Sequence, residues 1–471
     1  MRTPPRRSPP RRRGAAPIRL RVACTPRRRR QEVRLTSAAA RWLLVCALAQ
    51  PTTGSAGEPR TSYGPNPELP EPRISLIPTV NIAPAVGWPE ERTPHAAEGF
   101  QVNAFAAGLD HPRWLYTLPN GDLLVAETNA PRRPEAEAGV RGWLTGVIMK
   151  RAGAATPSAN RITLLRDADD DGRAETRTVF LENLNSPFGM TLIGEDLYVA
   201  NTDALMRFRR QPGATQISGP GEKVADLPAG PLNWHWTKNV IASQDGARLY
   251  VTVGSNSNNA ERGLDKEERR AAILEIDARD GTTRVFASGL RNPNGLAWQP
   301  DSGELWTTVN ERDELGDDLA PDYMTAVRDG GFYGWPYSYF GQNVDERMRA
   351  QRPDLVAKAI APDYALGAHT ASMGLAFYTA AQFAQRYRSG AFIAQHGSWN
   401  RSELVGYKVI FVPFREGRPA GLPEDILTGF INEHGEAFGR PVGVVVDGRG
   451  ALLVADDVGN VVWRVSAVES E

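Results

Sequence analysis

Cysteine is nearly absent. The 471 residues hold two, Cys24 and Cys46, so the body of the chain has no disulfide framework and no thiolate nucleophile. Histidine is scarce too, at six, and each one calls for a reason. The apolar run WLLVCALA at 42–49 is too short to cross a bilayer as a helix, so no stable transmembrane segment is expected. Motifs are missing as well. There is no HExxH, no GxSxG elbow and no P-loop, and no early GxGxxG opens a βαβ unit, which argues against a nicotinamide or flavin Rossmann enzyme. Long amphipathic helices between strands are also wanting, which counts against an α/β fold.

A formal net charge of zero conceals an asymmetry. Residues 1–41 carry fourteen arginines against one acid, Glu32, a net charge of +13. The rest of the chain is correspondingly acidic and speaks against a nucleic-acid binder. The basic stretch, the apolar run and the small residues of TTGSAGEP at 52–59 follow the order of an export signal. We therefore expect a leader and signal segment at 1–58, an extended lead-in at 59–98, and one domain at 99–471 in a periplasmic or secreted protein.

Glycine at 45 and proline at 36 favour turns and short strands. From about Phe100 one pattern recurs: a short apolar strand, a turn, and a second strand that often ends on an acidic or amide residue. It occurs six times, with second strands beginning near Leu123, Leu197, Leu249, Leu305, Ala391 and Leu452. Period-2 alternation in such short pieces indicates β-strands, and no unit can bury its own sheet face alone. The expectation is an all-β, six-bladed β-propeller of four-stranded antiparallel blades. FQVNAFAAGL at 100–109 would complete the sheet containing GNVVWRVSAV at 459–468 and so tie the chain ends together. The helix-capable pieces at 257–272 and 380–387 read as insertions.

In a propeller, loops from distant parts of the chain converge at one end of the channel. The segments NWHWTKN (233–239), GLRNPNG (289–295), VNERDELGDD (309–318), AQHGSWNR (394–401) and GRPVG (439–443) offer His235, Arg291, Asn292, Asn310, Glu311, His396, Arg401 and Arg440. Converging arginines and amides suit a ligand with several carboxylates or carbonyls, and a neutral histidine suits a base for a hydroxyl proton. His235 is expected at a loop end before the outer strand of its blade. Separately, DADDDGRAE at 167–175 sets Asp167, Asp169 and Asp171 at alternate positions before Gly172. Alternating carboxylates can wrap one hard cation, with Glu175 contributing directly or through water. Thr178 stands where an EF-hand would carry its bidentate Glu, so the loop reads as a structural calcium site or, failing that, a solvated acidic turn.

These pieces, with LIPTVNIAPAVGWP (76–89), GLDHPRWLYTLPNGDLLVAETNAP (108–131), GGFYGWPY (330–337) and GRPVGV (439–444), carry a resemblance. From about residue 74 onward the chain resembles the glucose/sorbosone dehydrogenase family, whose enzymes depend on pyrroloquinoline quinone (PQQ), and it is most similar to the bacterial sorbosone branch. The resemblance implies a six-bladed propeller, PQQ near the channel entrance and Ca2+ against the quinone. By that resemblance His235 is the base, and Arg291 and Asn292 contact the reacting quinone edge. Asn310 helps hold calcium, and Arg440 pairs with the cofactor's carboxylates. His396 and Arg401 fall where the soluble glucose enzymes place a lysine. Two features depart from those enzymes. Trp234 stands where an aspartate precedes the histidine, and Glu311-Arg312 replaces a Gly-Pro pair whose carbonyls hold calcium. Glu311 then either ligates the metal or pairs with Arg312. The implied substrate is a sugar or polyol, and the implied electron acceptor a cytochrome or quinone. Two further readings are a non-enzymatic propeller binding carbohydrate or protein, and a metal-dependent, lactonase-like hydrolase.

Overall fold

The computed structural model describes residues 62–75, 79–131, 150–230 and 232–468. The leader, the apolar run and both cysteines lie outside the described residues. Among the described residues no helix is long and apolar enough to cross a membrane.

The fold is an all-β, six-bladed propeller of mostly four-stranded antiparallel sheets. Blade one runs through Pro112–Thr117, Leu123–Glu127, Arg161–Arg166 and Thr176–Leu181. Blade two holds Met190–Ile193, Asp196–Ala200, Ala204–Arg209 and Glu222–Asp226. Blade three holds Val240–Ala242, Arg248–Val253, Ala272–Asp277 and Thr283–Ser288. Blade four holds Pro293–Trp298, Leu305–Val309, Pro321–Ala326 and Tyr364–Ala368, with Tyr63–Gly64 added at its edge. Blade five holds Ser372–Phe377, Gly390–Gln395, Lys408–Arg415 and Glu424–Thr428, with His95–Ala96 at its edge. Blade six joins Pro441–Val446, Leu452–Asp456 and Val461–Ala467 to Phe100–Ala107. Strand 100–107 pairs antiparallel with 461–467, from Val461 opposite Ala107 to Ala467 opposite Phe100, as the alternating pattern of both segments leads one to expect. The insertion pieces contribute only short 3-10 turns, Leu264–Glu267 and Gln385–Tyr387.

The first strand of each blade is the innermost. Each packs on the first strands of its two neighbours, all the way round. The approach is close enough to exclude side chains at some positions. A Cβ on Gly443 would lie 2.7 Å from the Arg113 carbonyl oxygen, and one on Gly374 2.5 Å from that of Val442. Three inner strands begin with proline, at Pro112, Pro293 and Pro441; the first residue of a strand is where a missing N–H is tolerated.

The core lies between blades. Leu124, Ile162 and Leu164 of blade one pack with Met190, Leu197 and Val199 of blade two. Leu453, Ala455 and Val462 of blade six pack with Leu115, Leu123, Val125 and Leu165 of blade one. Each sheet thus covers its neighbour's apolar face, and a Leu→Ala change at such a site costs about 2–5 kcal/mol.

One expectation needs correcting. His235 precedes an inner strand, Val240–Ala242, not an outer one. The apolar alternation of a short strand is the same wherever it sits in a blade. Its neighbours decide: this strand packs beside the inner strands of blades two and four.

Candidate active site

The start of each inner strand lies beside the end of the second strand. Pro112 faces Glu127, Pro293 faces Val309, Ser372 faces Gln395 and Pro441 faces Asp456. Residues just before an inner strand and just after a second strand therefore share one mouth of the channel. Arg291–Asn292 and Arg440 arrive by the first route, Asn310–Glu311 and His396 by the second.

Around His235 the contacts form a chain across blades three and four. Its Nδ1 lies 2.7 Å from the Ser255 carbonyl oxygen and 3.1 Å from the Ser255 hydroxyl. A carbonyl can only accept, so Nδ1 carries the hydrogen and Nε2 is the basic nitrogen of the neutral ring. Gly254 makes room for this: a Cβ there would lie 2.3 Å from Asn292 Oδ1 and 2.5 Å from His235 Cβ. His235 and Asn292 therefore stand against the same point of backbone. Beside His235, Trp236 is buried and Trp234 is 41% exposed, with the Arg262 guanidinium 5.6 Å from the Trp234 ring.

Arg291 is buried and held on three sides. It donates to the Glu311 carbonyl at 2.6 Å, to Asn258 Oδ1 at 3.0 Å and to Asp313 Oδ2 at 3.1 Å. Burial pushes the Asp313 carboxyl up, but Arg291 and His369 outweigh it and hold it below its usual range. His369 Nδ1 lies 3.4 Å from Asp313, and its Nε2 donates to the Gly316 carbonyl at 2.9 Å. Asn310 Oδ1 accepts from Asn294 at 3.2 Å and Asn292 at 3.4 Å, while its own amide donates to the Ser372 carbonyl at 2.6 Å.

Across blades one, five and six, a second cluster forms around Asp457. Arg113 donates to Asp457 Oδ2 at 2.7 Å, His396 Nε2 lies 2.9 Å from it, and His111 Nε2 3.5 Å. Arg113 also sits 5.6 Å from the ring of Trp236, which ties this cluster to the His235 loop. Burial pushes His111 down to about 4 and lowers His396 as well, so both rings are neutral near pH 7. Burial works against charge on Asp457 too, but His396, His111 and Arg113 together hold it well below the carboxylate range. With neutral imidazoles, Arg113 is the full charge that balances it. Arg440 lies over the Tyr407 ring at 5.1 Å, and its backbone N–H donates to Asp456 Oδ1 at 2.7 Å.

Two expected residues have other engagements. Glu311 accepts from Arg312 Nε at 2.9 Å through one oxygen, and fully buried Arg312 also pairs with Asp345 at 3.0 Å. Arg401 donates to the Asp317 carbonyl at 2.7 Å and pairs with Asp318 at 3.0 Å. His111, Arg113, Asp313, His369 and Asp457 were not singled out from sequence. The signal was present for Asp457: it follows a second strand, as Asn310 and His396 do.

Asp167, Asp169, Asp171 and Glu175 are brought together elsewhere, each offering a carboxylate oxygen within 4.8 Å of the others. Their loop joins the third and fourth strands of blade one. Leu123 pairs with Thr117 and Leu165, so this loop stands at the end of the blade away from the mouth.

Residues 191–406 match the family model described as Glucose / Sorbosone dehydrogenase. A protein of Borreliella burgdorferi described as uncharacterized is 29% identical over 294 residues, covering 60% of this chain and 76% of that one. The pyrroloquinoline quinone-dependent pyranose dehydrogenase of Coprinopsis cinerea is 24% identical over 430 residues, covering 78% of this chain and 54% of the enzyme. The chain thus spans about half the length of that relative. Among solved structures, the holo PQQ domain of the Coprinopsis cinerea enzyme superposes with a TM-score of 0.65 at 19% identity, covering 82% of this chain and 100% of that one. The calcium structure of a Trichoderma reesei carbohydrate-active enzyme of family AA12 gives 0.65 at 18% identity, covering 83% and 99%. At these identities the superpositions establish the shared fold.

Proposed function

We propose that this chain, whose residues 191–406 match the glucose/sorbosone dehydrogenase family model, is a PQQ-dependent oxidoreductase acting on a sugar or aldose hydroxyl. The observation that carries the reading is His235: its Nδ1–H is committed to the Ser255 carbonyl at 2.7 Å, so its basic nitrogen is Nε2, and Asn292 faces the same point of backbone at Gly254.

The donor set suits a ligand with several carboxylates and a quinone. Arg291, Arg440 and Arg113 each have a buried Nε–H without a hydrogen-bond partner, and buried donors in that state can be met by the oxygens of a ligand. When bound, the quinone supplies the hydride acceptor and a calcium ion polarises its carbonyl. His235 Nε2 takes the proton of the substrate hydroxyl as the carbon gives up its hydride. Arg291, fixed by Asp313 and the Glu311 carbonyl, presents positive charge that needs no rearrangement. Arg440 holds a cofactor carboxylate, while His396 Nε2 is committed to Asp457 and Arg401 to the Asp317 carbonyl and Asp318. Asn310, the main chain at 310–311 and the Glu311 carboxylate, one oxygen of which pairs with Arg312, are the calcium candidates. The ordered segments between 76 and 444 favour the bacterial sorbosone branch, and the leader favours a periplasmic or secreted enzyme that passes electrons to a cytochrome or quinone.

Reconstitution tests this. Purified chain is mixed with PQQ and Ca2+ and assayed for a bound-quinone spectrum and for dye reduction with a panel of sugars and polyols. Binding with sugar-dependent reduction supports the reading. Absence of a bound spectrum, or of reduction with every sugar, overturns it.

A further inference from the structure

We propose that the 167–175 loop binds one calcium-sized divalent cation, and that this ion pins the seam where the N-terminal strand closes the propeller ring. This is separate from the metal at the mouth, since the loop lies at the other end of blade one.

Four carboxylates with ligand oxygens within 4.8 Å of one another repel one another, and a positive charge among them relieves this. Arg449 partly answers this, since it pairs with Asp167 and, at 3.1 Å, with Asp170. It does not use the whole of Asp167. The Asp167 side chain is only 6% exposed. Its Oδ2 accepts from Arg449 and from the Gly172 N–H at 2.9 Å, while its Oδ1 is buried with no hydrogen-bond partner. A buried carboxylate oxygen left in that state is costly. A hard cation taking oxygen ligands from Asp167, Asp169, Asp171 and Glu175 removes the cost.

The loop's other contacts say what the ion would hold. Ala174 donates its N–H to the Phe105 carbonyl at 2.9 Å, and Asn103 donates its amide to the Gly172 carbonyl at 2.8 Å. Both partners lie on strand 100–107, the outermost strand of blade six. Arg449, in the turn after Pro441–Val446, donates to the Asp170 carbonyl at 2.7 Å. A loop of blade one thus grips blade six at two places, one on the strand supplied by the N-terminal side of the chain and one on a turn supplied by the C-terminal side. Ordering the loop around an ion orders that grip.

The experiment uses the full chain without PQQ, so its outcome is independent of the quinoprotein reading. Metal-stripped wild type and Asp169→Asn/Asp171→Asn are titrated with Ca2+, and bound calcium per chain, melting temperature and protease cleavage near residues 100–107 are recorded. Both substituted side chains are exposed, and Glu175→Gln serves as a second variant should the double change impair folding. The expected result is one calcium fewer per chain in the variant. The calcium-dependent rise in melting temperature should shrink, and cleavage near 100–107 should no longer be suppressed by calcium. Equal calcium content in variant and wild type, or a calcium response unchanged by both substitutions, overturns the proposal.

Discussion

His235 Nδ1 and the main-chain carbonyl of Ser255 are 2.7 Å apart. The partner that orients Nδ1 of this ring is therefore backbone. His235→Gln keeps size and polarity while removing the base. It should retain the fold and PQQ binding yet lose about two to four powers of ten in turnover. Turnover per bound PQQ is the measurement; a near wild-type value ends the catalytic assignment.

Gly254 separates His235 from Asn292. In Gly254→Ala the new Cβ would sit 2.3 Å from Asn292 Oδ1 and 2.5 Å from His235 Cβ, so both must move. The expected outcome is a large fall in turnover with bound PQQ retained, because a misplacement of about 1 Å can cost on the order of a hundredfold. Unchanged turnover would show that the two side chains do not need this spacing.

Arg440 and Arg291 should separate binding from rate. Arg440→Ala should weaken PQQ affinity, since a cofactor carboxylate loses its charged donor. Arg291→Ala should lower turnover more than affinity. Quinone titration of each apo-variant, followed by turnover at saturation, checks both. Unaltered affinity in Arg440→Ala would remove it from the site.

Acid should destabilise the protein partly through His111. Burial pushes this ring down to about 4. Below pH ~6.5 the unfolded chain takes a proton that the folded ring refuses until about pH 4, so this contribution is complete above 6.5 and is lost as pH falls towards 4. Its ceiling is about 3 kcal/mol. Asp322 and Asp456, raised to about 6 by burial, act in the opposite sense, since the folded state protonates them first as pH falls. The test is therefore a difference: melting temperature against pH should fall less steeply in His111→Gln than in wild type. Parallel curves would refute it.

Asp457 serves Arg113, His396 and His111 at once. Asp457→Asn leaves the Arg113 charge buried without its counter-ion, a loss on the order of 3–5 kcal/mol. Calorimetry should record a clear drop in melting temperature, and an unchanged value would mean Arg113 finds another acceptor.

The blades were legible because their signal is local. Second strands expected near Leu123, Leu197, Leu249, Leu305, Ala391 and Leu452 begin at Leu123, Asp196, Arg248, Leu305, Gly390 and Leu452. The Asp457 cluster was not legible in this way. Arg113 and Asp457 stand 344 positions apart, and only ring closure makes them neighbours. Glu311 shows the same limit: beside Arg312 it reads equally as ligand or ion pair. Distant Asp345 completes the pairing, and no short window contains all three. His235 was found from its surroundings in sequence, while the carbonyl that holds it comes from Ser255, across the hairpin.

Strand 100–107 has its partner at 461–467, beyond all five of the other blades. A ribosome making this protein releases the first strand long before the second exists. Through the synthesis of the other five blades, strand 100–107 must wait with an open edge, a template for the wrong partner. Losing residues from 461 onward would thus remove far more than a peripheral strand, since the waiting edge would never be covered. Slow folding follows from the same long-range pairing.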